Sequence, residues 1–315
     1  MARNILAIDI GGSKILAGWM QIFTTPEGWR DYQILQTVQE SLAGNLSERV
    51  ILETIDRMVE RLFPENAFAE VEALGVTIPG LADEEVWIYA PFSGIENFPI
   101  VRELRCRYGK PVRIANDVNA CALAERQFGK CRDARDYVWM TISNGIGGGI
   151  VLNGKIYPGA LGFSGEFGHM TVVEDGQLCG CGKRGCLEAE CAGPGLARFY
   201  ATLEGTSEPI SAAEIARRAE AGEASAVQAF VREGKLLGLA LANIANILNP
   251  EKILLGGGVT RAWKWFSPTM QAEFEKNLFR RANSGLKIEQ TGLGYEAALI
   301  GAAALTEKEE NETRC

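Results

Sequence analysis

The sequence has no run of eighteen apolar residues, no basic cluster, no G-x-x-x-x-G-K-[ST] motif, and one histidine in 315 residues. Without a long apolar run, no segment reads as membrane-spanning. The N-terminus passes from Met-Ala-Arg-Asn directly into an apolar strand rather than a secretory leader, so a cytoplasmic chain is expected. The lack of a Lys/Arg run, together with a formal net charge of -8, excludes a nucleic-acid partner, because affinity for a phosphate backbone rests on clustered cations. The missing G-x-x-x-x-G-K-[ST] form excludes a P-loop protein. Five of the eight cysteines, Cys106, Cys121, Cys131, Cys191 and Cys315, have no framework spacing and read as small packing residues or exposed thiols.

What is present is apolar bulk, 47% of the chain, enough for a substantial core and two compact lobes. The other three cysteines stand with the histidine. In SGEFGHMTVVEDGQLCGCGKRGCLE, from 164 to 188, His169, Cys179, Cys181 and Cys186 fall within eighteen positions. Three thiolates and an imidazole suit a closed, tetrahedral structural zinc, and the glycines at 180, 182 and 185 permit the tight turns such a cage needs. The spacing is not that of a zinc finger, and a core histidine beside incidental cysteines, or a redox pair, are the competing readings. Two thiols one residue apart make a poor structural disulfide, and a chain without a leader stays reduced, which favours zinc. A closed cage leaves the chemistry to neighbours it holds, notably Glu166 and Glu188.

Along the chain, NILAID and ILAGWM read as two strands of a hairpin with the tip GGSK. Such a tip offers backbone N–H groups and a Lys or Ser to a phosphate, while Asp9 can hold Mg²⁺ through water. The apolar spacing from Val50 to Leu62 predicts a packing helix, with Asn45 and Glu48 spaced as a capping box. ALGVTIPG, 73–80, reads as a buried strand closing on a Pro-Gly turn, followed by a loop through ADEEVWIYAPFSGIENF. VRIANDVNACALAERQFG, 112–129, passes from strand to helix with Asn116, Asp117 and Asn119 in the first turn. These are ordinary capping residues, but a carboxylate at the end of a buried strand is also placed to take a proton from a substrate hydroxyl, which makes Asp117 the candidate general base. DYVWMTISNGIGGGIVLNGKIYPGALG, 136–162, gives strand, glycine loop, strand and a second glycine turn. Helices are expected from Ser211, again with a capping box, and from Ala224 up to Pro250. EKILLGGGVT is a buried strand running into three glycines, and the last helix is expected over 296–305, before a charged tail, 306–315, expected to be disordered.

AIDIGGSK, ANDVNACALAE and GEFGHM followed by CGCGKRGCLE, in this order across nearly the whole chain, closely resemble the ROK family of sugar kinases and sugar-responsive repressors. The resemblance implies an α/β, two-lobed actin-like ATPase (ribonuclease H-like) fold with a duplicated core. Its small lobe would be 1–117, joined by the helix at about 296–305, and its large lobe, with the zinc loop, 118–295. It implies an ATP- and Mg²⁺-dependent kinase for a sugar or polyol hydroxyl, with Asp117 as base and Asn116, Gly80, Glu166, His169 and Glu188 holding the substrate. Asp9, Gly11, Gly12, Ser13 and Lys14 would form the first phosphate turn; Asn144, Gly145 and Gly147 the second; Gly256, Gly257 and Gly258 would border adenosine. Zn²⁺ would be held by His169, Cys179, Cys181 and Cys186, and the protein would be a homodimer or homotetramer. Three positions depart from the family. Ser13 stands where Thr is usual, Ser143-Asn144-Gly145 replaces Gly-Thr-Gly, and Pro91-Phe92-Ser93-Gly94-Ile95 replaces a longer segment whose Asn binds glucose. The last opens the substrate to a less usual sugar, an N-acetylhexosamine or a cyclitol-type ring. The chain begins at the first strand without a helix-turn-helix, which weighs against a repressor, while the altered second turn leaves a non-catalytic sugar sensor as a further alternative.

Overall fold

The structure, a computed structural model, describes residues 2–42, 46–64, 67–90 and 94–307. In chain order the elements are β1 (Arg3–Ile10), β2 (Lys14–Thr24), β3 (Arg30–Ser41), α1 (Glu48–Leu62), β4 (Val71–Ile78), β5 (Leu81–Ala82), β6 (Trp87–Tyr89), β7 (Glu96–Phe98), α2 (Ile100–Tyr108), β8 (Val112–Asn116) and α3 (Asp117–Gln127). Then follow β9 (Tyr137–Ile142), β10 (Ile146–Leu152), β11 (Lys155–Ile156), α4 (Leu187–Cys191), α5 (Gly193–Glu204), α6 (Ala212–Glu220), α7 (Ala224–Leu248), β12 (Lys252–Gly256), α8 (Trp263–Asn277), β13 (Lys287–Gln290) and α9 (Ala297–Ala304). Two compact units result. The first runs to Asp133 and includes Gly159–Phe163 and the chain from Glu296; the second holds Ala134–Pro158 and Ser164–Tyr295.

The duplication is visible in the sheets. One has the order β3-β2-β1-β4-β8 and the other β11-β10-β9-β12-β13. In each, a strand pairs antiparallel with the next in the chain and parallel with a later one, as β1 does with β2 and β4, and β9 with β10 and β12. This is the α/β, two-lobed actin-like ATPase fold.

Each sheet is buried by helices, which explains its continuous apolar strands. Leu6, Ile8 and Ile10 of β1 share a core with Ile51, Ile55 and Met58 of α1. Across the sheet, Gly18 of β2 pairs with Ala7 of β1, which pairs with Gly75 of β4. This row of small residues lets the Ala-rich α9 lie close: a Cβ at Gly75 would stand 1.7 Å from the Ala302 carbonyl oxygen. Gly75→Ala is therefore expected to destabilise by about 3 kcal/mol or more, read as a lower midpoint in denaturant with unchanged slope.

Several expectations are corrected. The cap of α1 is Ser47, whose Oγ accepts from Val50 N at 3.4 Å; Asn45 lies outside the described residues. The α6 cap is half a box: Ser211 Oγ accepts from Glu214 N, but the Glu214 carboxylate pairs with Arg217 and Arg218. The expected loop after Gly80 carries a small antiparallel sheet, β5-β6-β7, because Trp87 and Phe98 pair across β6 and β7 and bury their rings. Pro91, Phe92 and Ser93, and the tail from 308, lie outside the described residues. Among the described residues, no helix is long and apolar enough to cross a membrane.

Candidate active site and metal centre

In the first unit, β1, β4 and β8 run parallel, so their carboxyl ends lie together, where open α/β sheets bind ligands. Asp9 pairs in register with Thr77, and Ile78 with Asn116. The buried Thr77 hydroxyl donates to Asp9 Oδ1 at 2.9 Å, fixing the carboxylate at the entry to the GGSK turn. Gly11 N donates to the Lys14 carbonyl and closes that turn. A Cβ on Gly12 would meet nothing within 4 Å, and its φ is not in the left-handed region, so the fold itself does not demand glycine there.

Asn116 is the cap of α3: its Oδ1 accepts from Val118 N and Asn119 N, and its Nδ2 donates to the Gly80 carbonyl. Gly80 supplies this contact from a left-handed φ of 86°. With both lone pairs taken and one amide hydrogen engaged, Asn116 has a single N–H left for a ligand. Asp117 follows in the first turn. Burial, and then the charge of Asp9, push its carboxyl up to about 7, against the backbone N–H of Val118 that favours the ionised form. Asp9 is raised by the same burial, offset by Thr77 and Lys14.

In the second unit, a 3-10 turn at Phe167–His169 places Glu166 and His169 on one side, Glu166 Oε2 lying 3.7 Å from His169 Nε2. The other ring nitrogen, Nδ1, lies 3.7 Å from Cys179 Sγ, and Cys181 Sγ lies 3.7 Å from Cys186 Sγ. The four donor atoms are all within 4.8 Å of one another. A tetrahedral zinc with ~2.3 Å bonds separates its sulfurs by about 3.8 Å, so the donor set fits the ion in chemistry and in size. The loop that delivers it is tight: Gly182 donates to Cys179 O, Cys179 N to Lys183 O, and a Cβ on Gly185 would sit 1.6 Å from Val173 O.

The metal loop is tied to the second glycine turn. Glu188 Oε1 lies 3.9 Å from Cys179 Sγ, while its Oε2 accepts from Ile146 N at 3.0 Å. A Cβ on Gly145 would come within 2.7 Å of that same Oε2, so a side chain there would displace the Glu188 carboxylate. A cleft of about 490 Å³ opens where β9 and β12 end, bordered by Ser143, Asn144 and Gly258 and by the starts of α5 and α6.

The profile of the ROK family matches residues 5–309. The chain belongs to the ROK family. It is 31% identical over 326 residues to a glucokinase of Halalkalibacterium halodurans, with 98% of this chain and 96% of that one covered. The crystal structure of a ROK family glucokinase from Streptomyces griseus, in complex with glucose and AMPPNP, superposes with a TM-score of 0.75 at 30% identity over 96% and 98% of the two chains. A xylose repressor of Bacillus subtilis is 27% identical over 267 residues, 84% of this chain and 68% of the repressor.

Within this ROK chain the expected nucleotide residues divide. Asn144 and Gly258 border the cleft. Gly147 is a strand residue of β10, paired with Thr141. Gly256 makes room for the Trp139 ring, 2.4 Å from an added Cβ, and Gly257 turns at φ 92° against the Ile142 carbonyl. The cleft also takes Gly193 and Pro194 of α5, Ser211 of α6, and Arg261, none of which was expected. The Pro at the start of α5 and the Ser cap of α6 are the sequence signals for those two helix ends. Another unforeseen residue, Glu190, is buried under the metal loop. Burial pushes its carboxyl up, but Arg232 and Gln177 outweigh that and hold it below the usual range. Gln177 N donates to Glu190 Oε1 at 2.6 Å, so α7, through Arg232, anchors the loop.

Proposed function

We propose that this ROK protein is an ATP-dependent carbohydrate kinase that phosphorylates a hydroxyl of a monosaccharide, a hexose before an N-acetylhexosamine or a cyclitol-type ring. The observation that carries the reading is the placement of Asp117 at the start of α3, where β8 ends alongside β4 and β1, with burial and the charge of Asp9 pushing its carboxyl up to about 7. A carboxylate of that basicity can take a proton near neutral pH, which one near 4 does poorly. In the proposed reaction Asp117 removes the acceptor hydroxyl proton as that oxygen attacks the γ-phosphorus and the bond to the β-phosphate oxygen breaks, releasing ADP. Glu166, His169 and Glu188 are assigned to the sugar hydroxyls, with Gly80 and the remaining N–H of Asn116. Backbone N–H groups of Gly12 and Ser13, presented by the turn that Gly11 closes, Lys14, and Asn144 with Gly145 are assigned to the phosphates, and Asp9 to water-bound Mg²⁺. The Mg²⁺ that accompanies ATP supplies charge neutralisation at the phosphates. Zn²⁺ on His169, Cys179, Cys181 and Cys186 supplies a structural cross-link that fixes His169. Assembly as a homodimer or homotetramer belongs to the same proposal and is checked by light scattering.

Acceptor-dependent release of ADP tests the reading. Because the base works only when ionised, kcat/KM for the acceptor is expected to rise about tenfold per pH unit below 7 and to level off above about 7. A profile flat from pH 5 to 8 would contradict it. A sugar-binding regulator without activity is the second reading, favoured by the likeness to a xylose repressor and by the altered Ser143-Asn144 turn. It predicts sugar binding with no ADP release.

A further inference from the structure

We propose that Arg261 reads the base of the nucleotide: its guanidinium, laid on the Tyr295 ring, is the platform on which the purine stacks. This rests on the nucleotide reading of the cleft at Ser143, Asn144 and Gly258.

That cleft has two characters. Its polar part is the Ser143-Asn144 turn together with the start of α5, where Gly193 N donates to the Ser143 carbonyl. The exposed Asn144 amide can donate to a phosphate oxygen without a cation. Its apolar part is Pro209, Ile210 and Val259, a lining suited to a flat ring. Among the described residues that border it, Arg261 is the only charged one. Gly258 lies beside Ser143, since a Cβ there would be 3.8 Å from Ser143 Oγ. Arg261 is one 3-10 turn further on, about 6 Å along the axis.

The arginine is also held ready. Its turn, Gly258–Ala262, is pinned by Thr260, whose N and Oγ1 both donate to the Gly257 carbonyl, and by Gln290 Nε2 donating to Thr260 O at 2.9 Å. The guanidinium carbon stands 4.7 Å from the centroid of Tyr295, a ring 57% exposed on its own short turn. A guanidinium stacked on one aromatic face is planar and weakly hydrated on the other. A second aromatic plane is what that face takes.

The test is calorimetric titration of the whole protein with adenosine, AMP, ADP and ATP. Arg261→Ala is expected to weaken all four by a similar factor of about 10, the scale of one stacked base, and Arg261→Lys, which keeps the charge but not the plane, by nearly as much. Tyr295→Leu gives a smaller loss in the same direction. In turnover, the loss falls on KM for ATP rather than on kcat. A loss that grows with the number of phosphates and vanishes for adenosine would overturn the proposal by making Arg261 a phosphate ligand. Unchanged affinity in Arg261→Ala, with the unaltered protein binding ATP normally, would overturn it and leave the cleft reading intact. No binding of any adenine ligand by the unaltered protein would overturn both.

Discussion

Asp117→Asn is expected to lower kcat by about 10²–10⁴-fold while leaving the affinities for sugar and ATP within a few-fold. The amide has the size of the carboxylate but cannot accept a proton. Helix α3 does not depend on Asp117, because the Asn116 side chain already caps it through Val118 N and Asn119 N. A loss of rate therefore reports chemistry and not a frayed helix. An acid in the first turn is also an ordinary partner of the helix dipole, worth at most about 1 kcal/mol. If Asp117 had only that role, kcat would survive and the unfolding midpoint alone would shift. Separate measurement of kcat, of equilibrium sugar binding and of the unfolding midpoint distinguishes the two.

Removal of the metal is expected to have an effect of comparable size on binding and stability. Purified protein should carry about one zinc per chain, and Cys181→Ser should lose it, raise the sugar KM at least about tenfold and lower the unfolding midpoint. Cys181 is exposed while Cys179 and Cys186 are buried, so its substitution removes a ligand and little packing. The loop has little apolar core of its own: the buried apolar cluster there is Cys179, Cys186 and Ala189. Structural zinc contributes an apparent free energy of about 10–16 kcal/mol in zinc-finger peptides, where binding free energy is folding free energy. His169 carries the loss to the sugar, since its Nδ1 faces Cys179 and its Nε2 faces Glu166. A chain that is fully active with less than a tenth of the metal would refute this.

The parts of the fold that were legible in the sequence are those where local chemistry and tertiary packing agree. Hairpin β1-β2 announced itself by NILAID, GGSK and ILAGWM, and the cluster of His169, Cys179, Cys181 and Cys186 by rarity of its residue types. Asp9 and Asp117 were legible as two motifs, but their proximity comes from the parallel pairing of β1 with β4 and of β4 with β8, which the sequence does not announce. The β5-β6-β7 sheet read as a loop because its strands are two or three residues long, too short for any periodicity. The three glycines at the end of β12, Gly256, Gly257 and Gly258, illustrate the limit most clearly. Packing against Trp139 and Ile142 explains two of them, and only Gly258 is left bordering the cleft. Arg261 carries no sequence signal at all; its place beside Tyr295 comes from the turn that follows β12 and the one that precedes α9.

The measurement that bears most directly on the central claim is coupled release of ADP from ATP and Mg²⁺ across aldohexoses, ketohexoses, N-acetylhexosamines and inositol-derived rings, with Asp117→Ala as the blank. The account predicts release with at least one acceptor, abolished in that variant. Silence across the panel from zinc-loaded protein that still binds a sugar would contradict it and make this chain a sensor.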